Sequence, residues 1–243
     1  MSHFIKHISC DNCGSSDARA VYSDGGSHCF SCGQHGRAMV SPYVLPDEKE
    51  VEGGRTSGAI NLPSDTCQEF PEIALQWFSK YELFVPDLIK AGVLWSEYRQ
   101  QIIYPFYAAG HLEGYQARNF SPNARTKYYT KGNVNDILPV YYKRGELAST
   151  TLVVVEDCAS AIKLSRFVDA IPCLGSDFPL YKITRVSRLY PKVLIWLDGN
   201  MYHKAQNIAR RFQYLEVDSH AVYTSDDPKE IPYKELGSIL NEF

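Results

Sequence analysis

Thr151-Leu152-Val153-Val154-Val155-Glu156-Asp157 is the stretch that decides the fold of this chain. A β-branched, apolar run without polar alternation describes a strand covered on both faces, as in parallel sheets flanked by helices. Behind it, Ala159 to Val168 carries helical spacing, so the pair predicts the first half of a β-α-β unit. Further along, Ile171-Pro172-Cys173-Leu174, Val193-Leu194-Ile195-Trp196-Leu197 and His220-Ala221-Val222-Tyr223 supply more strands, with a helix expected from Tyr202 to Phe212. The C-terminal part is therefore expected to be α/β.

Glu156 and Asp198 each follow one of these strands, and Asp227 lies in Asp226-Asp227-Pro228-Lys229-Glu230 after the last. Ligands bind open α/β sheets outside the carboxyl ends of the strands, so carboxylates gathered there can hold divalent magnesium or manganese. A single acid in such a place reads as well as a strand end or a helix cap. Three in corresponding positions point to a metal.

Upstream, Ile73, Leu75-Gln76-Trp77-Phe78 and Leu88-Ile89-Lys90-Ala91-Gly92 fit two short helices, with Pro86 opening the second and Gly92 stopping it. Residues 101–107 and 112–120 read as a hairpin, and Thr126-Lys127-Tyr128-Tyr129-Thr130 as an addition to its sheet. Tyrosine beside Arg or Lys suits base stacking and phosphate pairing, although such tyrosines are more often packing residues.

Near the N-terminus, Cys10-Asp11-Asn12-Cys13 and Cys29-Phe30-Ser31-Cys32 form two Cys-x-x-Cys knuckles. Two such turns facing each other complete a tetrahedral four-sulfur shell, which suits a structural zinc with no open coordination position. Disulfide pairing would need an export signal, and the opening residues contain no long apolar run. His7, His28 and His35 flank a shell that the thiolates already fill, and Cys67, Cys158 and Cys173 are expected to be reduced core residues.

Of the 243 residues, 44% are hydrophobic, and the formal net charge of -3 excludes a chain that coats nucleic acid through bulk positive charge. Any nucleic-acid site must be a local patch. Between about Met39 and Pro63 the mixture of Pro, Gly and charge, without apolar periodicity, reads as a connector.

Val154-Val155-Glu156 followed by a helix, Cys173-Leu174-Gly175, Leu197-Asp198-Gly199-Asn200 followed by a helix, and Asp227-Pro228 resemble the Toprim domain of bacterial-type primases, topoisomerases and some nucleases. The knuckles, with Asn12-Cys13-Gly14-Ser15-Ser16-Asp17 and Ser23-Asp24-Gly25, look like the template-reading zinc domain of the primase half of phage primase–helicases. Gly114-Tyr115-Gln116-Ala117-Arg118 and Thr126-Lys127-Tyr128 look like the basic subdomain that precedes Toprim in primases. The resemblance runs in the family's order: a small zinc-ribbon β module at 1–38, a flexible linker at 39–63, a basic α+β polymerase subdomain at 64–148, and a Toprim-like parallel sheet with flanking helices at 149–243.

The resemblance implies a nucleotidyltransferase that makes short RNA primers on a single-stranded DNA template during phage DNA replication. By position it makes Glu156 and Asp198 catalytic and assigns magnesium or manganese to Glu156, Asp198, Asn200 and Asp227. It turns Arg118 and Lys127 toward nucleotide phosphates or template, and gives zinc to Cys10, Cys13, Cys29 and Cys32. Ribonucleotides and single-stranded DNA would be its ligands, and the bacterial cytoplasm its location, with no membrane. The sequence holds no Gly-x-x-x-x-Gly-Lys-Ser/Thr loop, so a separate replicative helicase is the expected partner. The chain departs from the family where Ser160 replaces a second acid after Glu156 and where Asn200 replaces the second acid of an Asp-x-Asp motif. Each change removes a negative charge from a site whose affinity depends on charge. The alternative is a non-catalytic zinc/Toprim DNA-binding accessory protein of replication or recombination.

Overall fold

Short strands joined by tight turns build the N-terminal segment of the computed structural model. β1 (Phe4–Ile8), β2 (Arg19–Tyr22), β3 (Gly26–Cys29) and β4 (His35–Arg37) form an antiparallel sheet in that order. The structure describes residues 4–8, 10, 12–22, 26–37, 60–108, 110–132, 134, 137–143, 149–174 and 178–243. The linker expected at 39–63 lies outside them as far as residue 59, as do Asp11, Ser23-Asp24-Gly25, Gly175 and Asp177.

The chain divides into two compact units, Met1–Thr56 and Ser57–Phe243. Among the described residues of the first, the fully buried apolar side chains are Cys10, Ala20, Val21 and Cys29. So small a core cannot offset the conformational entropy of ordering the segment without a further cross-link.

In the second unit, β5 (Thr66–Cys67), β6 (Leu94–Ser96), β7 (Gln101–Ala108), β8 (His111–Asn119) and β9 (Tyr128–Gly132) form an antiparallel sheet in sequence order. Helices α1 (Glu72–Ser79) and α2 (Val85–Lys90) bury Trp77, Phe78 and Leu88 with Ile102, Tyr104 and Phe106. The same cluster takes in Cys158, Ala159 and Ile162, so it continues past residue 149 without a break. Cys67 differs from expectation: it is half-buried, because the two-residue strand β5 lies at the sheet edge.

β10 (Thr151–Val155), β11 (Asp169–Pro172), β12 (Lys192–Trp196) and β13 (Asp218–Ala221) form a parallel sheet in the order β11-β10-β12-β13. Leu152, Val154, Val193 and Ile195 pack on one face with α4 (Leu180–Ser187) and α5 (Tyr202–Gln213). Val153, Val155, Leu194 and Trp196 pack on the other with α3 (Cys158–Leu164) and α6 (Tyr233–Leu240). The expected burial on both faces is realised, and the β-branched run follows from it. From β10 the chain first turns outward to β11 and then returns to β12 on β10's other side. The switch point of the sheet, where a crevice opens at the carboxyl ends, therefore lies between β10 and β12.

A polar clamp ties α2 to the segment after α3. Arg166 Nη2 donates to Asp87 Oδ2 at 2.6 Å, Arg166 Nε to Asp87 Oδ1 at 3.2 Å, and the guanidinium lies 3.8 Å from the Tyr233 ring centroid. Asp87 is only 1% exposed, and Phe84 N donates to it at 2.8 Å. Removing one partner of a buried ion pair strands the other charge in low dielectric. Arg166→Ala is therefore expected to cost about 3–5 kcal/mol in urea unfolding, and an effect below about 1 kcal/mol would assign the pair to the screened, surface class.

Candidate metal centre and active site

The two knuckles fold for a local reason. Gly14 N donates to Cys10 O at 2.9 Å and Gly33 N to Cys29 O at 2.8 Å, each closing a turn with its glycine at φ near +70°. Residues with side chains are strained in that conformation, so each Cys-x-x-Cys-Gly sequence favours the turn. Together they bring the sulfurs of Cys10, Cys13, Cys29 and Cys32 within 4.8 Å of one another. Cys10 and Cys32 are 3.8 Å apart, and Cys13 and Cys29 are 3.7 Å apart. A tetrahedron with Zn–S bonds of about 2.3 Å has S···S edges of about 3.8 Å, whereas a disulfide needs about 2.05 Å. The side-chain amide of Asn12, 3.5 Å from Cys32 Sγ, is the largest influence lowering that thiol's pKa to about 6, toward the thiolate that zinc binds. The cluster fits a structural zinc. His7 and His35 are exposed and His28 is half-buried.

At the carboxyl ends of the parallel sheet, Glu156 follows β10, Asp198 follows β12 and Asp227 follows β13. Burial, followed by the negative charges of Glu156 and Asp227, pushes the Asp198 carboxyl up to about 7, with Lys229 opposing. The fold has thus gathered the three predicted acids. Asp198 Oδ1 is buried without a hydrogen-bond partner, as expected of an oxygen that fits a cation. Among the described residues, the four sulfurs are the group whose ligand atoms converge within 4.8 Å, and these carboxylates are not such a group. Asn200 stands exposed in the short 3-10 turn Gly199–Met201. Gly199 is needed there, since a Cβ would come within 2.8 Å of Thr224 O.

Ser160 lies in the first turn of α3, where its N–H donates to Asp157 Oδ1 at 2.8 Å. Its Oγ is buried with no hydrogen-bond partner. Asp157 caps the helix and is also paired through Oδ2 with Lys229 Nζ at 2.8 Å. Lys229 reaches Asp227 Oδ2 at 2.6 Å as well. Burial works against its charge, yet Asp157 and Asp227 hold the ammonium well above the ordinary lysine range.

Beside this cluster stands an aromatic wall from the antiparallel sheet and α1. The Arg118 guanidinium lies 4.2 Å from the Trp77 ring centroid, 5.1 Å from that of Tyr128 and 5.3 Å from that of Phe120. Arg118 Nη1 donates to the Tyr128 hydroxyl at 2.8 Å. Burial raises the Tyr128 pKa to about 12; Arg118 and Lys229 oppose the shift and Asp157 adds to it, so this phenol sits electrostatically between the basic and acidic groups. Lys229 Nζ is 5.9 Å from the Tyr81 ring. Lys127 is exposed, 6.0 Å from the Tyr128 ring. Arg118 is therefore a half-buried, stacked cation, and Lys127 the open one.

Sequence reasoning passed over Lys229 and Trp77. Lys229 is embedded in an acidic motif read for its carboxylates alone, and Trp77 was legible only as a helical core position. Among the described residues no helix is long and apolar enough to cross a membrane.

The parallel sheet, the antiparallel sheet and the four-cysteine cluster together define a primase-like architecture. It is similar to the primase fragment of the bacteriophage T7 primase-helicase protein, with 14% identity, 98% of each chain covered and a TM-score of 0.52. Two other solved structures score 0.48: the zinc-binding and RNA polymerase domains of Aquifex aeolicus primase, at 18% identity over 62% of this chain and 42% of that one, and T7 primase domains interacting with the lagging-strand DNA polymerase, at 16% over 98% and 96%. No family model matches the chain.

Proposed function

We propose that this chain is a DNA primase, a nucleotidyltransferase that joins ribonucleotides into short RNA primers on single-stranded DNA in phage replication. The observation that carries the reading is the gathering of Glu156, Asp198 and Asp227 at the sheet's switch point, against a wall of Arg118, Tyr128 and Trp77. The fold shared with the T7 primase fragment spans both units of the chain.

In this reading the C-terminal domain is Toprim-like, and Glu156, Asp198 and Asp227 hold magnesium or manganese, with Asn200 as a neutral oxygen donor. When bound, the metal supplies Lewis-acid polarisation of the reacting phosphoryl group. Arg118 and Tyr128 line the nucleotide side, and Lys127 offers an exposed positive charge to phosphate. Zinc holds the N-terminal module, which reads the template. A separate replicative helicase would load the protein on DNA, in the host cytoplasm.

The module's surface suits bases. Phe30 is 65% exposed and Phe4 53% exposed, and their rings adjoin His28 and His7, with Phe30–His28 centroids 4.8 Å apart and Phe4–His7 4.9 Å apart. Exposed rings in a row stack unpaired bases at about 1–3 kcal/mol per base. Phe30→Ala should weaken single-stranded DNA binding by about that amount in fluorescence anisotropy. Unchanged affinity would move template reading elsewhere.

The reading is tested by primer synthesis on random single-stranded templates with ribonucleotides and magnesium or manganese. Dinucleotide formation is expected. Template binding without any dinucleotide, with either metal and with a replicative helicase present, would overturn it in favour of the accessory role, which the Lys229 ion pairs within the acidic cluster favour.

A further inference from the structure

We infer that Lys229 is a built-in cation of the acidic cleft, standing where a second divalent ion sits in two-metal phosphoryl-transfer sites, so that this chain binds one such ion. The inference rests on the primase reading of the cleft. Two-metal sites hold their ions about 3.5–4 Å apart between shared carboxylates. Here the ammonium of Lys229 bridges carboxylates from two strand ends, Asp157 Oδ2 at 2.8 Å and Asp227 Oδ2 at 2.6 Å. Both distances are those of charge-assisted hydrogen bonds.

The lysine is held in place. It is 9% exposed, and its backbone turn is gripped from below by Lys163, whose Nζ donates to Lys229 O at 2.9 Å and Ile231 O at 2.6 Å. Lys163 is itself 1% exposed and lies 3.4 Å from Glu82 Oε2. An ammonium so buried remains charged only because its carboxylates surround it. A solvated surface lysine would need no such support.

With Oδ2 of Asp157 and Oδ2 of Asp227 engaged by Lys229, the carboxylates left whole for a divalent ion are Glu156 and Asp198, whose Oδ1 is the orphaned oxygen, while Asp227 keeps its other oxygen as the one shared between ammonium and ion. Magnesium is commonly held by one or two protein carboxylates plus substrate phosphates, so this pair suffices for one ion. The positive charge of Lys229 also repels a second ion from the neighbouring position.

The test counts manganese ions on the zinc-loaded full chain by paramagnetic resonance of the unbound metal at pH 8. Wild-type protein is expected to bind one ion, which Asp198→Asn removes. Lys229→Met, which frees Asp157 and Asp227, should bind two, whereas Lys229→Arg should keep one. Two ions on the wild-type protein would overturn the inference whatever the variants do. One ion on a Lys229→Met variant that melts cooperatively would overturn it as well. Two ions with primer synthesis intact would sink the inference and leave the primase reading; one ion with no synthesis would do the reverse. No manganese on the wild-type protein would end both.

Discussion

Stripping zinc from this chain, or replacing Cys29 with serine, is expected to unfold the N-terminal module while the 57–243 unit keeps its structure. The module's described fully buried apolar side chains are Cys10, Ala20, Val21 and Cys29, and two of these are themselves ligands. Binding of a structural zinc to such a shell contributes about 10–16 kcal/mol, which becomes folding free energy when no site exists in the unfolded chain. The larger unit has three extended core clusters of its own and no part in the four-cysteine shell. In amide correlation spectra, chelation should collapse the resonances of residues 4–37 to random-coil positions and leave those of 57–243 dispersed. Template affinity should fall to that of the isolated larger unit. A module that stays dispersed after complete zinc removal would show that its short sheet is stable alone.

The parallel domain was legible because its code is redundant. The run at 151–155 matches β10 residue for residue, since a strand buried on both faces has no polar position to blur its ends. The strands at 171–174 and 220–223 were expected two residues late: they are Asp169–Pro172 and Asp218–Ala221. Each opens on an aspartate, a residue depleted in strands, and β13 is an edge strand with exposed positions. Helices α4 and α6 escaped notice because neither has a side-chain cap to announce it: their N-cap residues are Pro179 and Pro232, which offer no side-chain acceptor, and neither holds a proline inside its first turn as α2 holds Pro86.

The site was legible in part for a different reason. Carboxylates after strands declare themselves by position, so Glu156, Asp198 and the acidic segment Asp226-Asp227 could be named from topology, and the Toprim resemblance then singles out Asp227 within it. Partnership could not. That Asp157 and Asp227 share Lys229, and that Arg118 is boxed by Trp77, Phe120 and Tyr128, depends on contacts across 72 and 41 residues of sequence, respectively, at the widest. Nothing in a local pattern encodes such distances. Ser160 shows the limit from the other side: a family position read for charge proves to be a buried helix-start residue whose backbone serves Asp157.

Asp198→Asn should stabilise the metal-free protein and disable it, two effects of opposite sign from one charge. In the folded chain the Asp198 carboxyl is raised from its ordinary 3.8 to about 7, by burial first and then by the charges of Glu156 and Asp227. A raised carboxyl favours the fold while protonated, so its contribution is complete below about pH 4 and is lost as pH climbs through about 7. At pH 8 the metal-free cleft therefore carries an ionised carboxylate pressed against like charges. Asparagine fills the same space without that charge, so the variant should melt above wild type at pH 8 in the presence of a chelator of divalent ions too weak to remove the zinc. The difference should vanish at pH 4, where both side chains are neutral. Manganese should raise the melting temperature of wild type at pH 8 and leave the variant unmoved, because bound cation compensates the repulsion only where the ligand remains. Primer synthesis should fall by at least about 10²–10³-fold, the loss seen when one group that stabilises developing transition-state charge is removed, while template affinity, which the proposed function assigns to the zinc module and Lys127, should hold. A variant that melts below wild type at pH 8, or that still makes dinucleotide at the wild-type rate, would show that Asp198 is a packing residue and that the acids gathered at the switch point do not form the reaction centre.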